Sequence, residues 1–204
     1  LPAWAGPDTR PVTNARAESL ADKPTFRRAY QSRRCLIPAS GFYEWQVVGR
    51  TRRPWLFRLR EDQSFAFAGL WETYLSPGGQ LVESCAVITT AANTLMQPVH
   101  HRMPAMLVDA AAWSAWLDPQ ITSADTLAPL LRPLSPDAMN ATAVSPRVNQ
   151  TRNDDLACLD PASDTDTTGD REGAFNGIAR TCGTTNTTAP TDDNGGAAQL
   201  TLGL

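Results

Sequence analysis

The chain has 204 residues and is 42% apolar, and its 18 basic and 21 acidic side chains leave a formal charge of −3. These values suit one globular domain with room for a core, and they exclude collagen-like, disulfide-dense and wholly disordered chains. No apolar run approaches the roughly 18–20 residues that a membrane helix needs, so no membrane partner is expected.

Leu1-Pro-Ala-Trp4 has no initiator Met and no charged region ahead of an apolar one. It reads as the start of a processed or truncated chain without an export signal. Asn14-Ala-Arg16-Ala-Glu18 alternates polar groups with alanines. In extended form its amide, guanidinium and carboxylate project from one face as a binding edge, although a polar strand edge or helix start has the same pattern. A helix is expected at about 23–31, with Pro24 in its first turn.

Aromatic and β-branched runs at Cys35–Pro38, Gly41–Val48, Trp55–Leu59, Phe65–Tyr74 and Leu81–Thr89 predict strands. Turn chemistry separates them at Gly49-Arg50, Glu61-Asp62 and Ser76-Pro-Gly-Gly79. The two histidines, His100 and His101, lie between Pro98 and Pro104, on a constrained connection after the last of these strands. Asp109 is an N-cap for a short helix ending at Leu117, with Trp113, Trp116 and Leu117 at helical spacing. A further helix is expected at about 123–131. Residues 162–204 are rich in Thr, Asp, Asn and Gly and read as a disordered acidic tail, which leaves residues 1–161 as the domain. The expected fold class is α+β: a mostly antiparallel β core, barrel-like or strongly curved, with peripheral helices.

Charge is unevenly distributed along this chain. Residues 1–60 carry twelve basic side chains against four acidic, whereas 61–160 carry four against eleven. All but one of the basic residues are Arg, which suits planar contact with phosphate, although a solvated face or biased codon usage accounts for the same pattern.

Glu44 is the sole acid in Gly41-Phe-Tyr-Glu-Trp45. On a strand it shares a face with Phe42; pointing inward it becomes a proton-transfer group with a raised pKa, pointing outward an ordinary surface residue. Either His is an acid, a base, a phosphate contact or an ordinary loop residue. Cys35, between Arg34 and Leu36, reads as a buried structural thiol or a nucleophile paired with His100. The four cysteines include no Cys-x-x-Cys and no ligand set accompanies the histidines, so neither metal nor cofactor is expected.

Asn14-Ala-Arg-Ala-Glu18, Arg34-Cys-Leu-Ile-Pro-Ala-Ser-Gly-Phe-Tyr-Glu-Trp45, Thr89-Thr-Ala-Ala-Asn93, His100-His-Arg-Met-Pro104 and Val144-Ser-Pro-Arg-Val-Asn149 occur in this order. Together they resemble the SOS response-associated peptidase (SRAP) family of abasic-site-processing proteins, over residues 1 to about 160. Leu1-Pro-Ala-Trp4 looks like the end of that family's Trp-Gly-Leu-Ile-Pro-x-Trp segment. The resemblance implies that a Cys following the initiator Met attacks the ring-opened aldehyde of an abasic site in single-stranded DNA, and that amine and thiol close a thiazolidine. It further implies autopeptidase activity and a DNA-damage role, in a monomeric protein that is cytoplasmic and nucleoid-associated.

By the same resemblance Asn14 orients the sugar or the N-terminal residue, Glu44 shuttles protons, and His100 acts on the opened sugar or the adjacent phosphate. Arg16 holds phosphate, Trp4 stacks beside a base, Arg102 is a further phosphate contact and Thr89 supports the pocket. The family's Met-Cys-Gly-Arg segment is not in this sequence, so the chain as given is expected to bind DNA weakly and not to crosslink. A non-catalytic basic nucleic-acid-binding module, with Glu44 structural, is the alternative.

Overall fold

The computed structural model describes residues 12–76 and 78–163. Trp4 and nearly all of the expected tail lie outside them. Two sheets form the centre. The larger has six strands: β1 (Asn14–Arg16), β2 (Arg34–Ala39), β5 (Phe65–Leu75), β6 (Leu81–Ala91), β7 (Arg102–Pro104) and β8 (Met106–Leu107). The smaller joins β3 (Phe42–Val48), β4 (Thr51–Leu59) and β9 (Met139–Ala143). Among the described residues all strand pairings are antiparallel except β1 with β6. The domain is therefore mixed α+β with mostly antiparallel sheets, which are curved and do not close into a barrel.

The turn residues act where their chemistry allows. Gly49, at φ 59°, takes the first position of the two-residue β3–β4 turn that leaves Val48 opposite Thr51. Gly79, at φ 78°, serves the β5–β6 loop, where the Ser76 amide donates to the Gln80 carbonyl at 2.8 Å. The β5–β6 ladder runs from Leu75–Leu81 to Gly69–Val87. Beyond that the two strands diverge, and residues 102–107 fill the gap, pairing first with β6 and then with β5. Between those pairings the Ala105 amide donates to Ile88 and its carbonyl accepts from Ala68.

Alternation on the central strands builds three apolar layers. One face of the larger sheet, with Leu70 and Ile88, packs against α1 (Pro24–Ser32) and α2 (Ala110–Leu117) through Ala29, Tyr30 and the fully buried Trp116. The opposite face, with Phe65, Phe67 and Val87, meets Phe42 and Phe57 of the smaller sheet. Phe42 stacks on Phe57 at 5.3 Å and meets Phe67 edge-on at 5.8 Å. The far side of the smaller sheet packs Tyr43 and Leu56 against Val144, Val148 and Cys158.

Several elements differ from expectation for identifiable reasons. The 14–18 segment is extended only to Arg16; Ala17–Ser19 is a 3-10 turn, which lets the chain bury Leu20. The helix expected at 123–131 divides into α3 (Ala124–Leu127) and a 3-10 turn, Ala128–Leu131. Pro129 has no amide with which to continue an α-helical ladder. β7 and β8 carry too few residues for a period-2 signal, β9 alternates as Met-Asn-Ala-Thr-Ala but has no aromatic residue to mark it as a strand, and β4 starts at Thr51 rather than Trp55, passing through buried Pro54. α2 follows its expected cap, with the Ala112 amide donating to the Asp109 carboxylate at 2.7 Å.

Candidate active site

Phe42 and Glu44 lie on the inner face of β3. Phe42 enters the inter-sheet core, and Glu44, one pleat further along, sits where that apolar cover ends, its side chain 9% exposed. Its Oε1 accepts from the Trp45 amide at 3.2 Å, and its Oε2 lies 3.9 Å from His100 Nδ1. Burial raises its pKa above the usual 4.5, against smaller opposing effects of His100, the Trp45 amide and Arg52. A carboxylate so placed holds its proton more tightly than a solvated one.

The facing loop is built from Asn93. This buried side chain accepts from the Met96 amide at 2.9 Å and donates to the Leu134 carbonyl at 2.9 Å, while the Asn93 main-chain carbonyl accepts from the Gln97 amide. Met96 is fully buried, and its carbonyl accepts from both Val99 and His100. His100 is thus delivered on a turn whose Met96, Gln97, Val99 and His100 amides are all bonded within it. Its Nδ1 stands 3.0 Å from the Arg102 carbonyl and 3.2 Å from the Arg102 amide. A protonated Nδ1 can donate to the first and an unprotonated one can accept from the second, so the ring keeps a partner in either state. The His101 ring lies 4.5 Å away, and its pKa is lowered by burial first and then by His100, Arg102 and Arg16.

β1 supplies the other edge. In its parallel register Asn14 is level with Val87, an inter-sheet core residue, and Arg16 is level with Thr89. Arg16 is exposed and near enough to influence both His101 and Glu18, which places it at the rim. Thr89 donates to the Ala15 carbonyl at 3.4 Å. Arg102 grips Glu18 through two bonds, at 2.7 and 3.0 Å, and donates to the Thr89 carbonyl at 2.5 Å. The Arg102 bond leads the effects that lower the Glu18 pKa. Arg102 therefore pins the turn after β1 onto β6, and a phosphate contact from it would compete with Glu18.

Glu44 and His100 are thus brought face to face by two elements more than fifty residues apart. Their 3.9 Å gap exceeds a hydrogen bond and admits no atom between them, so they suit acid–base work on an atom held beside both. Cys35 does not join them in a reactive form, because burial, with a smaller effect of Cys85, pushes its thiol up to about 11 and keeps it protonated at neutral pH. Among the described residues no cluster of His, Cys, Asp or Glu could hold a metal ion. The sequence motifs assign no role to Asn93, which they contain, or to Gln46, which follows one of them. Asn93 carried a signal as a turn-forming Asn after a strand, and Gln46 as the second polar residue on the Glu44 face.

The profile of a family described as "SOS response associated peptidase (SRAP)" matches residues 1–151. The chain is 42% identical over 156 residues to the abasic site processing protein YoqW of Bacillus subtilis, covering 75% of this chain and 69% of that one. It is 29% identical over 178 residues to the mouse abasic site processing protein HMCES, covering 74% of this chain and 50% of the relative, so it spans half of that protein's length. A crystal structure of a protein from Bacteroides thetaiotaomicron superposes with a TM-score of 0.68 at 30% identity, covering 74% of this chain and 66% of the other.

Proposed function

Because this chain belongs to the SOS response associated peptidase family, we propose that it processes abasic sites in single-stranded DNA as part of the DNA-damage response. The observation that carries this reading is the desolvated Glu44 carboxylate facing His100 at 3.9 Å, beside an Arg-bearing edge. The ring-opened lesion presents an aldehyde. An N-terminal amine condenses with it, losing water to give an imine; the thiol of the same Cys then adds to the imine carbon and its proton goes to nitrogen, closing a thiazolidine. The four cysteines of this sequence are internal and carry no free α-amine, so the step calls for an N-terminal Cys of the family type.

In this scheme Glu44 accepts and returns the protons of the condensation, and His100 acts on the opened sugar or the adjacent phosphate. Asn14 orients the sugar or the nucleophile, Arg16 holds phosphate, Thr89 supports the pocket wall and Trp4 stacks beside a base. The same acid–base pair serves hydrolysis of the peptide bond ahead of the Cys. The protein acts as a monomer in the cytoplasm, on the nucleoid.

The test incubates the protein, with a Met-Cys segment of the family type placed ahead of residue 1, with an oligonucleotide bearing one abasic site. A denaturation-resistant adduct is expected that disappears when the upstream Cys becomes Ala and forms about 100-fold more slowly with Glu44→Gln, the scale of one acid–base group. Absence of any adduct overturns the reading. Salt-sensitive DNA binding that is indifferent to Glu44→Gln, with no adduct, would favour a non-catalytic module.

A further inference from the structure

We infer that Gln46 is a positioning residue that sets the distance between Glu44 and His100, a role that rests on the function proposed above. Glu44 and Gln46 occupy one face of β3 a single pleat apart. Along that face runs the chain from Pro98 to His100, so that two contacts stand side by side: Glu44 meets His100 at 3.9 Å, and Gln46 Nε2 donates to the Pro98 carbonyl at 3.1 Å.

The amide is itself oriented. Trp55, the register partner of Glu44 on β4, donates its indole N–H to Gln46 Oε1 at 3.3 Å. Indole nitrogen can only donate, so it holds the oxygen end of the amide and turns the nitrogen end toward the loop. The loop's first half is anchored by Asn93, and its exit by the Ala92 amide donating to the His101 carbonyl. Gln46 adds a tie directly to the strand that carries Glu44, two residues before the imidazole. Without it the His100 turn keeps its internal bonds and loses a fixed offset from Glu44. Proton transfer is sensitive to that offset, since an ångström of misplacement can cost about 100-fold in rate.

The test uses the protein, with the same Met-Cys segment ahead of residue 1, carrying Gln46→Met, which keeps length and removes both bonding groups, Gln46→Glu, which keeps the acceptor for Trp55 and sets an anion against the Pro98 carbonyl, or Trp55→Phe, which removes the orienting donor. Three quantities are measured: the adduct rate at saturating abasic single strand, the affinity for a strand carrying an unreactive tetrahydrofuran abasic analogue, and amide hydrogen exchange at Val99–Arg102. Both Gln46 variants should form adduct about tenfold more slowly at unchanged affinity, with faster exchange at His100 and Arg102, and Trp55→Phe should fall between them and the parent. An unchanged rate in Gln46→Met overturns the inference, as does a loss that appears only as weaker DNA affinity. If the parent protein makes no adduct, the proposed function has failed and exchange alone decides: faster exchange in Gln46→Met supports the tie, and unchanged exchange overturns it.

Discussion

A carboxylate moved out of water without a full set of donors holds its proton more strongly, and Glu44 is in that position. It has one amide donor, and an imidazole beyond hydrogen-bond distance. Burial puts its folded-state pKa above 4.5. In the unfolded chain the carboxyl ionises first as pH rises through 4.5; the native state then holds the extra proton, and stability falls until the folded pKa is passed. Glu44→Gln keeps the shape and removes the ionisation. Thermal denaturation between pH 4 and 8 should show the variant gaining on the parent as pH rises, with the difference smallest at the acid end. A difference independent of pH would mean that the carboxylate is not desolvated. The same residue that limits stability is the one proposed to move protons.

Arg34 shows what an element-level contact does with a charge. It opens β2, and its guanidinium reaches the C-terminal ends of two helices: Nη1 donates to the Tyr30 and Gln31 carbonyls of α1 at 2.8 and 2.9 Å, Nε to Trp116 of α2 at 2.6 Å, and Nη2 to Asp118 at 2.5 Å. Neither helix has a basic residue in its own last turn. One buried cation therefore satisfies carbonyls that helix geometry leaves open and meets the negative ends of both dipoles. Arg34→Met should lower unfolding stability by roughly 3 kcal/mol, the scale of a charged hydrogen-bonding group removed from buried acceptors. Chemical denaturation should show a lower midpoint with an unchanged slope. Arg34→Lys should recover only part of it, because an ammonium cannot fork across both helix ends. A similar lock acts on β3, where the Trp45 indole donates to Asn149 at 2.7 Å and ties the closing Val144–Asn149 motif to the far side of the Glu44 strand.

For the whole molecule, the fold divides the Arg-rich first third between structure and surface. Arg33 pairs with Glu72 at 2.6 Å, Arg34 clamps the helices and Arg60 donates to the Asp137 carbonyl, while Arg16 and Arg52 are exposed within electrostatic reach of the His101 and Glu44 side of the domain. Binding to single-stranded DNA, followed by fluorescence anisotropy from 50 to 300 mM salt, should lose about 0.7 from its log–log salt slope for each of Arg16→Ala and Arg52→Ala, and nothing for Arg34→Met. Unaltered slopes in both alanine variants would place the phosphates elsewhere. Charge alone could not show that division, since Arg16, Arg33 and Arg34 count equally in it. By contrast, the five long strands, the turns at Gly49 and Gly79, the Asp109 cap and the order of the motifs were legible, because alternation, positive φ and capping act within a few residues. The sequence by itself determined these elements and the membership they imply. Only the tertiary structure decided that Glu44 points inward to His100, that Arg102 is held by Glu18, and that Cys35 is a protonated, half-buried thiol. A strand has two equivalent faces, and which one loses its water depends on the layer that packs against it.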